Sequence, residues 1–145
     1  MKALSQTSKY GIRALLYMVA NPSQGEYMSI GEIAKEMDLS FHFLTKIFRE
    51  LTSNGILNSY RGPAGGVALA KSAESIMLLD VVLALEGNDY FDSCLLGFPR
   101  CGIAKPCPVH EFWKVAKADL KDHFSNTSLS QLAEKINADE VRLYD

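Results

Sequence analysis

Long apolar segments are missing from this chain. No run reaches the roughly 18 apolar residues that a membrane-spanning helix needs. The first residues, which include Lys2, Ser5 and Gln6, lack the unbroken apolar core of a signal peptide. Extreme composition is missing too: 48% of the 145 residues are hydrophobic and 22% are charged, which excludes a disordered or collagen-like chain. The sequence therefore predicts a globular, cytoplasmic protein of about one domain.

Motifs of the common enzyme classes are also missing. The chain has no Gly-rich phosphate loop, no HExxH and no GxSxG. Its acidic residues are scattered, and no Ser/His/Asp arrangement stands out. A thiol enzyme built on Cys107 and His110 is conceivable, but nothing in the sequence indicates a substrate pocket. We therefore expect a protein that is not an enzyme.

The net charge is small, −2, but the charges are unevenly distributed. Residues 1–71 contain eight Lys and Arg against five Asp and Glu, whereas residues 72–145 contain seven against twelve. Asymmetry between halves indicates a nucleic-acid partner more directly than the total charge does, although many proteins show it. The N-terminal half is thus the candidate for binding nucleic acid.

Apolar spacing predicts a mainly α-helical chain with one small β-hairpin. The helices are defined by apolar positions three and four residues apart and by caps at their ends, including Thr7 for the first and Cys107 for the fifth. Two short β-like runs flank a Gly-rich turn. The predicted helices span 7–20, 30–37, 41–53, 73–85, 108–124 and 128–136, the strands span 56–60 and 67–70, and an irregular segment spans 88–107.

Residues 29–70 have the order of a winged helix-turn-helix. Ser29 and Glu32 form a capping box at the start of one short helix. Three residues, 38–40, separate this helix from a second, and the Gly-rich hairpin follows. In a helix-turn-helix the second helix enters the major groove of DNA, and a hairpin beside it forms a wing.

The second helix has a polar face that suits DNA. Its inner face is apolar, and its opposite face carries, at helical spacing, His42, Thr45, Lys46 and Arg49. Lys and Arg bind guanine edges or phosphates, and Thr contacts a thymine methyl or a phosphate oxygen. In the wing, Arg61 is followed by Gly62 and Pro63 and is suited to a narrow minor groove. These residues predict DNA binding.

Alternatives remain open for this motif. The polar face of a helical hairpin is often only solvated, and the same fold can dock a protein instead of DNA. Phe41 and Phe43 are unusual at an exposed helix start, and either packing against the wing or contact with thymine methyls explains them. Salt-dependent binding to DNA distinguishes a nucleic-acid partner from a protein partner.

The three cysteines lie within 14 residues, spaced Cys94-x6-Cys101-x5-Cys107. An odd number cannot pair off in disulfides, and a cytoplasmic protein seldom keeps them. Arg100 and Lys105 favour the thiolate form that binds metals and is oxidised. Clustered cysteines in this setting predict a metal or redox site.

His110 is the candidate fourth ligand, because it follows Cys107 by one helical turn. Three thiolates and one imidazole suit either zinc or an iron–sulfur cluster. A zinc site usually contains a C-x2–4-C knuckle, which is absent here, so the spacing favours iron–sulfur. The alternative is that three small hydrophobic residues happen to share one loop.

The chain resembles the Rrf-type winged-helix transcriptional regulators, in particular the iron–sulfur-binding branch that includes IscR and NsrR. The resemblance covers nearly the full length. It rests on residues 7–15, 30–34, 51–57, 61–69 and 107–110, of which the wing sequence 61–69 is the most specific. Departures are Ala64 in place of a wing glycine, Thr45 in place of Glu in the reading helix, and a first cysteine spacing one residue longer.

The resemblance implies a DNA-binding regulator, expected to be a repressor, whose operator affinity is tuned by the cluster. It implies a homodimer, palindromic double-stranded operators, and a division into a winged helix-turn-helix domain (1–87), a cluster loop (88–107) and a dimerisation helix with tail (108–145). A 2Fe–2S cluster is favoured over 4Fe–4S, because Lys9 stands about where nitric-oxide sensors have an Asp ligand. The implied cluster ligands are Cys94, Cys101, Cys107 and His110, and the implied DNA-contacting residues include His42, Thr45, Lys46 and Arg61.

Overall fold

The computed structural model describes residues 3–23, 25–99, 102, 104–139 and 141–143. Cys101, a predicted cluster ligand, lies outside these residues. Within them the helices are α1 (Gln6–Ala20), α2 (Ile30–Glu36), α3 (Phe41–Ser53), α4 (Leu78–Glu86), α5 (His110–Ser125) and α6 (Leu129–Asn137), with a 3₁₀ turn at Tyr90–Asp92. Strands β1 (Leu57–Tyr60) and β2 (Gly66–Leu69) form one antiparallel hairpin. The predicted fold class, mainly helical with a small hairpin, is confirmed.

Helix α1 lies at the centre of the core. It begins at Gln6, and its cap is Ser5 rather than the predicted Thr7, because the hydroxyl of Ser5 accepts the backbone N–H of Ser8. Ala14 and Leu15 are fully buried, and α1 packs against α3, α4 and α6. Burial of a Leu-sized side chain stabilises the fold by about 1.5–3 kcal/mol. The contact of α3 with the buried face of α1 therefore determines the position of α3.

Helices α2 and α3 form the predicted helix-turn-helix, and α3 has the predicted bounds. Ser29 accepts the N–H of Glu32, and Ser40 accepts the N–H of Phe43, so each helix begins at a hydroxyl cap. Between them Asp38 adopts a left-handed conformation with φ of +54°. The buried side chains of α3 are those predicted for its inner face, Leu44, Ile47, Phe48 and Leu51.

The wing is held close to the segment that enters α2. Met28 and Val67 exchange backbone hydrogen bonds of 2.8 and 2.9 Å, which adds a bridge to the hairpin. The bridge requires Gly66, since a Cβ there would lie 2.0 Å from the carbonyl oxygen of Met28. The wing is therefore positioned by backbone contacts that leave no room for a side chain.

Two further predicted helix starts were wrong. Helix α4 begins at Leu78 rather than near residue 73, because Leu78 N–H donates to the Thr127 carbonyl at 2.7 Å and residues 76–78 pair with 127–129. Helix α5 begins at His110 rather than Pro108, and Val109 rather than Cys107 holds the N-cap position. None of the described helices combines the length and apolarity that crossing a bilayer requires.

Candidate DNA interface and cysteine site

A groove of about 610 Å³ separates α3 from the wing, with the start of α2 at one end. Four of the predicted DNA-binding residues line it, namely Thr45, Arg49, Arg61 and Gly62. Pro63 lines the neighbouring cavity on the other side of the wing. His42 and Lys46 are exposed on the adjacent surface of α3. The structure thus brings four of the seven predicted residues into one groove and leaves Pro63, His42 and Lys46 outside it.

The wing is joined to α3 by side chains that sequence reasoning missed. The hydroxyls of Thr52 on α3 and Ser59 on β1 are 3.0 Å apart and share a hydrogen bond. The rings of Tyr27 and Tyr60 stack with centroids 5.4 Å apart beside Arg61. The hydroxyl pair joins the wing to α3, and the tyrosine stack joins it to the segment before α2. The sequence shows that two tyrosines are present, but not that they stack or that the two hydroxyls meet, because both pairings depend on the fold.

The two unusual phenylalanines of α3 have different surroundings. Phe43 lies edge-on to Tyr10 of α1, with ring centroids 5.8 Å apart, and packs against the core. Phe41 is 51% exposed and lines the groove between α3 and the wing. Phe43 therefore contributes to the core. Packing within the chain does not explain why Phe41 is exposed.

The cysteine site is a second cavity, of about 720 Å³, between the loop and the start of α5. Cys94, Cys107 and His110 all line it. His110 is 5% exposed, and its backbone N–H donates to the Cys107 carbonyl at 3.1 Å. Three of the four predicted ligands therefore share one cavity, and the fourth, Cys101, lies outside the described residues.

The sulfur of Cys94 lies among hydrogen-bond donors. Desolvation raises the pKa of the Cys94 thiol, but these hydrogen bonds outweigh it and hold the pKa below its ordinary value. The donors are the backbone N–H groups of Phe98, Leu96 and Gly97 and the side chain of Cys107. The arrangement favours a thiolate at Cys94, which is the form that binds a metal or reacts with an oxidant.

The chemistry of these side chains fits an iron–sulfur cluster, since thiolates and an imidazole are its usual ligands and N–H bonds to sulfur tune its potential. In the part of the chain that the structure describes, no three His, Cys, Asp or Glu side chains stand together closely enough to hold a metal ion. The three described candidate ligands thus line the same cavity, but their side chains are not close enough together to bind one metal ion.

Helix α5 anchors the residue before Cys94, which the sequence did not indicate. The indole N–H of Trp113 donates to the Ser93 carbonyl at 2.9 Å, and the ammonium of Lys117 donates to the same oxygen at 3.1 Å. Trp113 and Lys117 are four residues apart on one helix face, where side chains converge. The sequence shows this spacing, but it does not indicate that both side chains donate to the Ser93 carbonyl.

A helix-turn-helix with basic residues on its second helix and an arginine in its wing defines the class of DNA-binding transcriptional regulators. A family model described as "Rrf2: Iron-dependent Transcriptional regulator" matches residues 4–135, and the chain belongs to this family. It is therefore a transcriptional regulator of the Rrf2 family, and such regulators bind DNA.

Similar proteins agree with this assignment. A "Putative HTH-type transcriptional regulator" of Aquifex aeolicus is 34% identical over 143 residues, covering 97% of this chain and 95% of that protein. The regulator IscR of Escherichia coli is 28% identical over 138 residues, covering 95% and 82%. The structure of CymR, "the Global Cysteine Regulator of B. subtilis", is similar with a TM-score of 0.75 and 26% identity, covering 92% and 98%. Because these relatives are regulators, the expectation that the chain is not an enzyme is confirmed.

Proposed function

We propose that this regulator binds a palindromic operator as a homodimer and that an iron–sulfur cluster in the cysteine loop controls its affinity for DNA. The observation that carries the proposal is the gathering of Cys94, Cys107 and His110 around one cavity, where the loop meets α5. The description of the family as iron-dependent and the likeness to IscR support it. By analogy with the family, the regulator is a repressor.

The DNA-binding part of the proposal uses the groove and the surface beside it. In the major groove, base edges or phosphates are contacted by His42, Thr45 and Lys46. The sugar-phosphate backbone of the DNA is contacted by Arg49, Arg61, Gly62 and Pro63. Arg61 is exposed and joined to α3 through the wing, so the two elements engage one duplex together. Two-fold symmetry sets half-sites about 34–36 Å apart, or a multiple of this.

Alanine variants test this interface by titration of an operator selected from random-sequence duplexes. Lys46→Ala should weaken binding by about 1–3 kcal/mol, and Arg61→Ala should reduce the salt slope by about 1. Lys135→Ala on α6 is the matched control, since Lys135 is exposed but is part of neither α3 nor the wing. Binding by Lys46→Ala and by Arg61→Ala that equals the wild type at every salt concentration would refute the interface.

The cluster part of the proposal assigns four ligands. Cys94, Cys101, Cys107 and His110 would hold the group, with 2Fe–2S favoured over 4Fe–4S. A bound cluster supplies one-electron redox chemistry and sensitivity to oxidants or nitric oxide. The chain itself supplies the N–H donors to Cys94 and the buried imidazole at the first residue of α5.

Iron and sulfide analysis of protein prepared without oxygen tests these ligands. Each of Cys94→Ala, Cys101→Ala and Cys107→Ala should lose iron and sulfide while the far-UV spectrum stays helical, because the core lies elsewhere. His110→Ala should shift the reduction potential, whereas the control His123→Ala, at the other end of α5, should not. Stoichiometric zinc without sulfide would refute the iron–sulfur cluster.

The division into a DNA-binding domain (1–87), a cluster loop (88–107) and a dimerisation segment (108–145) is part of the proposal. Phe112 and Val115 on α5 are 59% and 60% exposed, as expected of a helix face covered by a second copy. Sedimentation equilibrium should give a dimer for the wild type and a weaker dimer for Val115→Lys.

A second candidate function is thiol sensing without a cluster. It is favoured by the hydrogen bond between the Cys107 and Cys94 side chains. The likeness to a global cysteine regulator supports it. Here an oxidant takes two electrons from the two thiols, two protons leave, and a disulfide forms. Metal-free, sulfide-free protein that still regulates an operator on oxidation would favour this function over the cluster and over a zinc site.

A further inference from the structure

Phe41 is a large aromatic side chain that the fold does not bury. It is the first residue of α3 and is 51% exposed. Its neighbour Phe43 reaches the core, so the difference lies in the side of the helix that each occupies. An exposed aromatic ring on a surface that binds DNA has an apolar partner available, because bases present apolar groups in the major groove.

Thr45 stands one turn further along the same side of α3. Its hydroxyl donates to the backbone carbonyl of Phe41 at 2.7 Å. A hydroxyl has a single proton, so Thr45 has none left to donate to a base edge. What it retains toward DNA is a γ-methyl group and an acceptor oxygen, which makes it a mainly apolar contact.

Phe41 and Thr45 line the groove together with Arg49 and Arg61. The two arginines of this groove are suited to phosphates, and the apolar pair that lines it with them is suited to a base. Thymine is the base that presents a methyl group in the major groove. We propose that Phe41 and Thr45 form an apolar surface that contacts the 5-methyl group of one thymine in each operator half-site. This inference rests on the proposed DNA-binding function.

Deoxyuridine replacement tests the methyl contact directly, since it removes this methyl group and nothing else from the base. An operator is selected from random-sequence duplexes with the full-length protein, and each of its thymines is then replaced singly. One thymine in each half-site should lose about fourfold in affinity on replacement, the value of one buried methyl-sized group. The other thymines should show no change.

Protein variants then assign the contact. Thr45→Ser keeps the hydroxyl and removes the methyl, so it should abolish the deoxyuridine penalty, whereas Thr45→Val keeps a methyl and should retain the penalty. Phe41→Ser should reduce the penalty. The matched control is Lys135→Ala, because Lys135 is exposed on α6, is part of neither α3 nor the wing, and its loss should leave the penalty at fourfold.

The outcomes separate this inference from the function on which it rests. Sequence-selective binding with no deoxyuridine penalty at any thymine would overturn the inference and leave DNA binding intact. An equal penalty in Thr45→Ser and Thr45→Val would overturn the role of Thr45. Failure to select any sequence would overturn both the inference and the proposed function.

Discussion

Glu86 shows how one side chain joins distant parts of this chain. At the last residue of α4, its carboxylate accepts the backbone N–H of Ser5 and the hydroxyl of the buried Ser8, each at 2.7 Å. Desolvation raises the pKa of Glu86, but the hydrogen bonds from Ser5 and Ser8 outweigh it and lower that pKa below its ordinary value. The start of α1 is therefore held to the end of α4 by a charged acceptor.

This interaction predicts a pH dependence. A carboxyl group whose pKa is lowered by folding stabilises the fold above its unfolded pKa, about 4.3, and the contribution is lost as the pH falls through the folded pKa. In urea unfolding, Glu86→Gln should lower the midpoint at pH 6 and have a smaller effect below about pH 4. The control Glu74→Gln, on an exposed turn, should leave the midpoint unchanged. An equal effect of Glu86→Gln at both pH values would contradict the charge-based interaction.

At the scale of elements, the wing depends on close backbone packing. Gly66 sits where β2 meets the Met28 bridge, with φ of +154° and no space for a side chain. At Gly31 in α2, by contrast, an added Cβ would lie 3.6 Å from the Ser29 hydroxyl oxygen, which is an ordinary van der Waals contact. The two glycines therefore have different roles although both line the groove between α3 and the wing.

Alanine substitution should separate these roles. Gly66→Ala should lower the free energy of unfolding by about 2–3 kcal/mol, because the new Cβ meets the Met28 backbone. Gly31→Ala should leave it unchanged or raise it by up to about 1 kcal/mol, since alanine favours a helix. Chemical denaturation of both variants measures the difference. Equal stability of Gly66→Ala and the wild type would show that the wing packs differently.

Comparison of elements shows what the sequence could predict. The bounds of α3 followed from local signals, a hydroxyl cap and apolar residues at helical spacing, and they were correct. The start of α4 was predicted wrongly because Ile76 and Met77 pair with residues 127–129, some fifty positions away. The anchoring of Ser93 by Trp113 and the second wing bridge at Met28 also depend on tertiary contacts, which no local pattern reports.

At the scale of the whole molecule, the cysteine loop is connected to α3 through α1. The hydroxyl of Tyr90, at the start of the loop, donates to the carbonyl of Ala3. Helix α1 then contacts α3 through the rings of Tyr10 and Phe43. Trp113 on α5 anchors the other side of the loop at Ser93. These contacts tie the segment that leads to Cys94 to α5 and to the residues before α1, and α1 in turn contacts α3.

This connection predicts that the state of the cysteine site changes operator affinity. Under the proposed function, a bound cluster would order the loop and so bias how α1 and α5 hold the two winged domains of a dimer. DNA with fixed half-site spacing would then bind one arrangement better. Coupling between two sites is typically 1–3 kcal/mol, or about 5–150-fold. By reciprocity, operator DNA should change the affinity for the cluster by the same factor.

Titration of one selected operator with cluster-loaded and cluster-free protein, at matched salt and with the dimer verified, tests this coupling. We expect the two affinities to differ by about 5–150-fold, and Cys107→Ala, prepared in both ways, to show a single affinity. Identical affinities of the loaded and cluster-free wild type would contradict a regulatory role for the cysteine site.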